Sequence, residues 1–98
     1  MQILESLINT NSATFKANHE RMRQVSADLR SRVEAARQGG GAKYVARHRE
    51  QGKLPVRERI ARLIDPGSSF LELSPLAGYG IYEDDAPGAG IVTGIGLV

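Results

Sequence analysis

Residues 71–80, LELSPLAGYG, lead through a short acidic stretch into residues 86–96, APGAGIVTGIG, and this final third of the chain decides the fold. Phe70, Leu71 and Leu73 suggest a first β-strand. Residues 90–98 suggest a second, with residues 79–88 a flexible acidic loop between them. No hydrophobic partner strand follows, and no turn or cap signal comes after Gly96. The expectation is therefore the opening strands of a larger β-rich domain, cut off mid-strand at Val98.

Helical patterns precede these strands. Residues 1–13 read as a tail, with Asn9-Thr10-Asn11-Ser12 as a polar break, and the hydroxyl of Ser12 or Thr14 suits a helix N-cap. Phe15, Met22, Val25, Leu29, Val33 and Ala36 recur at helical spacing, as one narrow apolar stripe over residues 14–37. Such a helix is roughly 36 Å long. Gly39-Gly40-Gly41 stops it. A second helix is predicted over residues 42–51, ending at Gly52. A third starts with Pro55 in its first position and has Ile60, Leu63 and Ile64 on its apolar side. Asp65-Pro66-Gly67-Ser68-Ser69 is a turn by composition. Helices first and strands afterwards give an α+β class, divided into a tail (1–13), a helical region (14–64) and first strands (65–98).

Composition excludes several kinds of chemistry. Without cysteine, the 98 residues hold no disulfide framework, thiolate metal site or cysteine nucleophile. No run of eighteen apolar residues offers a membrane-spanning helix. Residues 1–8, MQILESLI, have neither the basic start of a secretory signal nor the arginines of a transit peptide. The expected location is cytoplasmic. Charge is sharply divided. Residues 1–62 carry all thirteen Lys and Arg against six acids, net +7, whereas residues 63–98 carry five acids and no base, net −5.

Most motifs have plain readings. Gly39-Gly40-Gly41-Ala42-Lys43 lacks the spacing and preceding strand of a phosphate loop, and Tyr44 stands where its hydroxyl residue belongs. Gly94-Ile95-Gly96 has no following helix and is no dinucleotide fingerprint. Glu83-Asp84-Asp85 lacks the spaced oxygens of a calcium loop. His19 and His48 have no partner at metal-ligand spacing, and His48 reads as a surface or packing residue. No metal site and no catalytic residue emerge. The basic cluster Lys43, Arg47, Arg49, Lys53, Arg57, Arg59 and Arg62 fits either phosphate binding or a solvated face partly paired with Glu50 and Glu58.

Several ordered motifs nevertheless resemble one family. Gly39-Gly40-Gly41, the RHREQGKL run of residues 47–54, Arg57-Glu58-Arg59-Ile60 and the LIDPGS run of residues 63–68 look like the N-terminal region of biotin-dependent acyl-CoA carboxyltransferases. Residues 70–77, FLELSPLA, and residues 86–96 look most like the methylcrotonyl-CoA carboxylase β-subunit branch, with the geranyl-CoA and propionyl-CoA branches as alternatives. One departure is Pro55-Val56, where relatives often carry a helix-capping hydroxyl.

The resemblance implies a crotonase-like (ClpP/crotonase) ββα-spiral domain of which this chain supplies only the beginning. It implies transfer of CO₂ from carboxybiotin to an acyl-CoA such as 3-methylcrotonyl-CoA, through a carbanion delocalised into the thioester. The biotin is carried by a biotin carboxylase/biotin carrier α subunit, and the β subunits form a homo-oligomeric core. Two oxyanion holes of backbone N–H groups are required, and their glycine-rich helix starts would lie beyond Val98. The 98 residues alone are expected to be inactive. CoA carries a 3′-phosphate and a pyrophosphate, so Lys53 and Arg59, inside the matching motif, are the candidate CoA-binding residues. Two readings of other classes compete: a stand-alone helical interaction module using the 15–36 stripe, and a basic nucleic-acid binder.

Overall fold

The polar break before the first helix is where the fold begins. The Ser12 Oγ accepts the Phe15 amide at 3.1 Å, and its hydroxyl donates to the Asn9 carbonyl at 2.9 Å. Ser12 rather than Thr14 is thus the cap, and α1 (Ala13–Arg37) starts one residue earlier than expected. The computed structural model describes residues 1, 3–83 and 86–98. Asp84 and Asp85 of the acidic run therefore lie outside the described residues.

Two compact units divide the chain, residues 1–31 and residues 32–98. The first holds the tail and most of α1. Its Phe15 and His19 rings, one turn apart, stack with centroids 5.9 Å apart and planes inclined by 14°. Met22, Val25 and Leu29 stay exposed along the apolar stripe, and no residue of α1 is buried.

In the second unit the three glycines after α1 all take positive φ, 62°, 85° and 97°, which stops the helix. Helix α2 (Ala42–Glu50) closes in a Schellman turn. The Lys53 N–H donates to the His48 carbonyl at 3.1 Å, and the Gly52 N–H to the Arg49 carbonyl at 2.9 Å. Gly52 supplies the left-handed residue, φ 72°, that this turn requires. The helix ends one residue short of expectation because Gln51, at φ −80° and ψ 8°, is its C-cap.

Helix α3 (Val56–Leu63) follows Pro55, which is its N-cap instead of its first helical residue. A ψ of 146° keeps Pro55 outside the helix, while its carbonyl accepts the Arg59 N–H at 3.1 Å. No side chain caps this end, in keeping with a proline where a hydroxyl would serve.

Strands β1 (Leu71–Leu73) and β2 (Thr93–Ile95) pair antiparallel, with Leu71 opposite Ile95, Glu72 opposite Gly94 and Leu73 opposite Thr93. Helices followed by a small sheet make the chain α+β. Both strands are shorter than the sequence suggests. Each has one partner among the described residues, and Gly90, Gly94 and Gly96 weaken the second. The same glycines let other side chains come close. A Cβ at Gly94 would collide with the Phe70 ring, and one at Gly96 would meet Ile64 at 2.8 Å. Beyond the ladder, the Asp65 N–H donates to the Leu97 carbonyl at 2.8 Å. The loop between the strands is tied at its base, where buried Gly78 donates to the Pro87 carbonyl at 2.9 Å.

No apolar side chain among the described residues is fully buried, and Leu71 and Ile95 are 61% and 63% exposed on the paired strands. Apolar burial is the main source of cooperative stability. The chain on its own is therefore expected to show helical circular dichroism without a sharp calorimetric transition. A sharp transition in dilute monomer would contradict this. Locally, Gly52→Ala should cost about 1 kcal/mol at the α2 terminus. It should speed exchange of the Lys53 amide roughly fivefold while leaving α1 amides unchanged.

Candidate functional site

The sequence places α3 and β1 seven residues apart, and one ion pair ties them together. Arg57 of α3 grips Glu72 of β1 through two parallel bonds, Nη1–Oε2 at 2.8 Å and Nη2–Oε1 at 2.7 Å. This bidentate geometry is specific to guanidinium and carboxylate. The Glu72 side chain is only 12% exposed and that of Arg57 32%. The hydrogen bonds from Arg57 hold the Glu72 carboxyl below its usual range against the opposing effect of burial, with the charges of Arg57 and Arg37 adding to the shift. The same bonds raise Arg57, again against burial, with the charges of Glu72 and Glu34 reinforcing them.

This pair borders a cavity of about 410 Å³ whose wall includes Tyr44, Val45, His48, Pro55 and Ile91. The cavity is within the size range of small-molecule sites. Its charged members are largely committed, since Arg57 and Glu72 satisfy each other.

A second, smaller recess is lined by His48, Lys53, Leu54 and Arg59. The structure thus brings the two candidate residues, Lys53 and Arg59, to one place and adds His48. The Schellman turn explains the arrangement, because it folds Lys53 back onto the last turn of α2. The Lys53 Nζ donates to the Gln51 Oε1 at 3.2 Å. Two other members of the basic cluster are paired, Arg49 with Glu58 of α3 and Arg57 with Glu72. Arg32, outside that cluster, lies over the Tyr79 ring, 4.5 Å from its centroid. Chemically, the recess offers positive charge and N–H donors to an anion.

Sequence reasoning did not single out Glu72 and read His48 as a surface or packing residue. Glu72 lies fifteen positions from Arg57, and no local spacing links them. The position of His48 was encoded in Gly52, whose left-handed turn sets the distance to Lys53.

The carboxyl transferase domain model matches residues 47–98, just over half of the chain. The chain belongs to the carboxyl transferase domain family. The matched segment of this carboxyl transferase chain contains His48, Lys53 and Arg59 as well as the Arg57–Glu72 pair. Among curated proteins, it is 49% identical over 96 residues to the mitochondrial methylcrotonoyl-CoA carboxylase beta chain of Arabidopsis thaliana, covering 98% of this chain and 16% of that one. It is 54% identical over 76 residues to the biotin-dependent 3-methylcrotonyl-coenzyme A carboxylase beta1 subunit of Mycobacterium tuberculosis, covering 78% and 14%. To the probable mitochondrial methylcrotonoyl-CoA carboxylase beta chain of Drosophila melanogaster it is 45% identical over 97 residues, covering 98% and 17%. The carboxyl transferase chain thus spans about one-sixth of the length of these relatives.

The ion pair yields a pH prediction. A carboxyl depressed in the folded state contributes stability above its unfolded value, about 4.3. That contribution is lost as pH falls through the lower folded value. By NMR, Glu72 should titrate below the ordinary carboxylate range. Arg57→Met should return its midpoint to that range or above it, since the burial remains. An unchanged midpoint would rule out the pair as the cause.

Proposed function

We propose that this chain forms the N-terminal part of a carboxyltransferase β subunit that moves CO₂ from carboxybiotin to 3-methylcrotonyl-CoA, a step of leucine degradation. The observation that carries the reading is the 49% identity to a methylcrotonoyl-CoA carboxylase beta chain over 96 of the 98 residues. The motif-dense segment from the RHREQGKL run to the second strand coincides with the family match at residues 47–98.

On this reading the chain enters a crotonase-like domain, and the remainder of the subunit covers the exposed apolar residues of β1 and β2. The biotin is attached to a partner α subunit, and the β subunits assemble into a homo-oligomeric core. The setting is the cytoplasm in a bacterium or the mitochondrial matrix in a eukaryote. When bound, carboxybiotin supplies the carboxyl group. No residue of this chain is assigned to biotin or to the transfer step.

The part of this chain is binding. Lys53 and Arg59 serve the phosphates of CoA, and the basic recess they line fits that task in charge and in donor chemistry. Anchoring the nucleotide end helps orient the distant thioester, because fixing one part of a substrate restricts the rest.

The test is bicarbonate incorporation by the complete reading frame, assembled with a biotinylated α subunit. The expected order places kcat/KM for 3-methylcrotonyl-CoA at least about tenfold above that for geranyl-CoA or propionyl-CoA, a difference of about 1.4 kcal/mol. Preference for propionyl-CoA would replace this substrate, and no incorporation with any acyl-CoA would overturn the function. The 98 residues alone should incorporate none.

A further inference from the structure

We infer that His48, Lys53 and Arg59 together seat the 3′-phosphate of the coenzyme, with His48 a binding residue beside the two cations. The inference rests on the carboxyltransferase reading for the identity of the ligand and adds a residue and a phosphate to it. Three observations carry it.

First, the three side chains line one recess whose other described lining residue is the apolar Leu54, so among the described residues no carboxylate lines it. Second, two neighbouring arginines are committed to acids, while no recess residue is paired with an acid among the described residues. Arg57 is bound to Glu72 and Arg49 to Glu58, whereas the His48 imidazole and the Arg59 guanidinium have no hydrogen-bonded partner among the described residues. Third, the geometry is fixed by backbone. The Lys53 N–H to His48 carbonyl bond at 3.1 Å and the left-handed Gly52 hold the backbone of two of the three residues in register.

The chemistry of the ligand selects the phosphate. A phosphomonoester at neutral pH carries between one and two negative charges and presents three acceptor oxygens. Each phosphorus of the pyrophosphate carries a single charge. Three donor-bearing side chains lining one recess suit the denser, terminal group, which is also remote from the reacting thioester.

The experiment uses the assembled enzyme with two substrates, 3-methylcrotonyl-CoA and its dephospho-CoA ester, which lacks only the 3′-phosphate. His48→Ala should raise KM for the CoA ester about fivefold to tenfold with little change in kcat, and leave KM for the dephospho ester unchanged. Lys53→Met and Arg59→Met should behave alike, and Lys43→Met, outside the recess, should change neither. Equal rises with both esters, or no rise with either, would overturn the assignment.

Direct binding of 3′,5′-ADP and 5′-ADP to the same protein separates the two levels of the account. Binding of 3′,5′-ADP in preference to 5′-ADP that His48→Ala weakens supports the recess even if no acyl-CoA is carboxylated. Active enzyme whose 3′,5′-ADP binding ignores all three substitutions retains the function and loses this site.

Discussion

The two parallel hydrogen bonds between Arg57 and Glu72 are the constraint around which residues 32–98 are arranged. They fasten α3 to β1 in a region where no apolar side chain is fully buried among the described residues. Directional contacts, rather than a buried core, join the elements here. The Asp65–Leu97 and Gly78–Pro87 backbone bonds, and the pairing of β1 with β2, act with the ion pair to close the unit. A partly buried carboxylate is costly without a partner, so this pair also fixes which face β1 turns to α3.

The same economy accounts for the charge pattern. The basic excess before residue 63 is not a uniform field, because it separates into cations held by acids and cations left for something else. Arg49 and Arg57 are held by Glu58 and Glu72, whereas His48, Lys53 and Arg59 line one recess with no acid among its described lining residues. The contrast between Arg57, held by Glu72, and Arg59 follows from the helix. Residues 57 and 59 are 200° apart around its axis at 100° per residue, so they face different neighbours.

Much of the element order was legible in the sequence. Glycines 39–41, Gly52 and the Asp65-Pro66-Gly67 turn punctuate the chain where the structure breaks it, since few residues besides glycine accept a positive φ. Periodicity located α1 to within one residue. Strand lengths were not legible, because a strand extends only as far as it has a partner, and Phe70 and residues 96–98 have none in the ladder. The Arg57–Glu72 pair joins residues fifteen apart, and side-chain pairing over that distance leaves no periodic trace. For the site, the motif containing Lys53 and Arg59 was visible, and its third member emerged only when the Schellman turn placed His48 beside them. The family itself was legible because its motifs are ordered and dense over residues 39–96, and the match at residues 47–98 falls on them.

A transplant tests the central claim most directly. These 98 residues replace their counterpart, about one-sixth of the chain, in an active methylcrotonoyl-CoA carboxylase beta chain, and kcat for 3-methylcrotonyl-CoA is measured after assembly. The account predicts an assembled enzyme whose kcat stays within about tenfold of the parent, because the segment contributes scaffold and CoA binding while the transfer chemistry is supplied elsewhere. An assembled, soluble chimera without measurable carboxylation, beside an active parent, would contradict it.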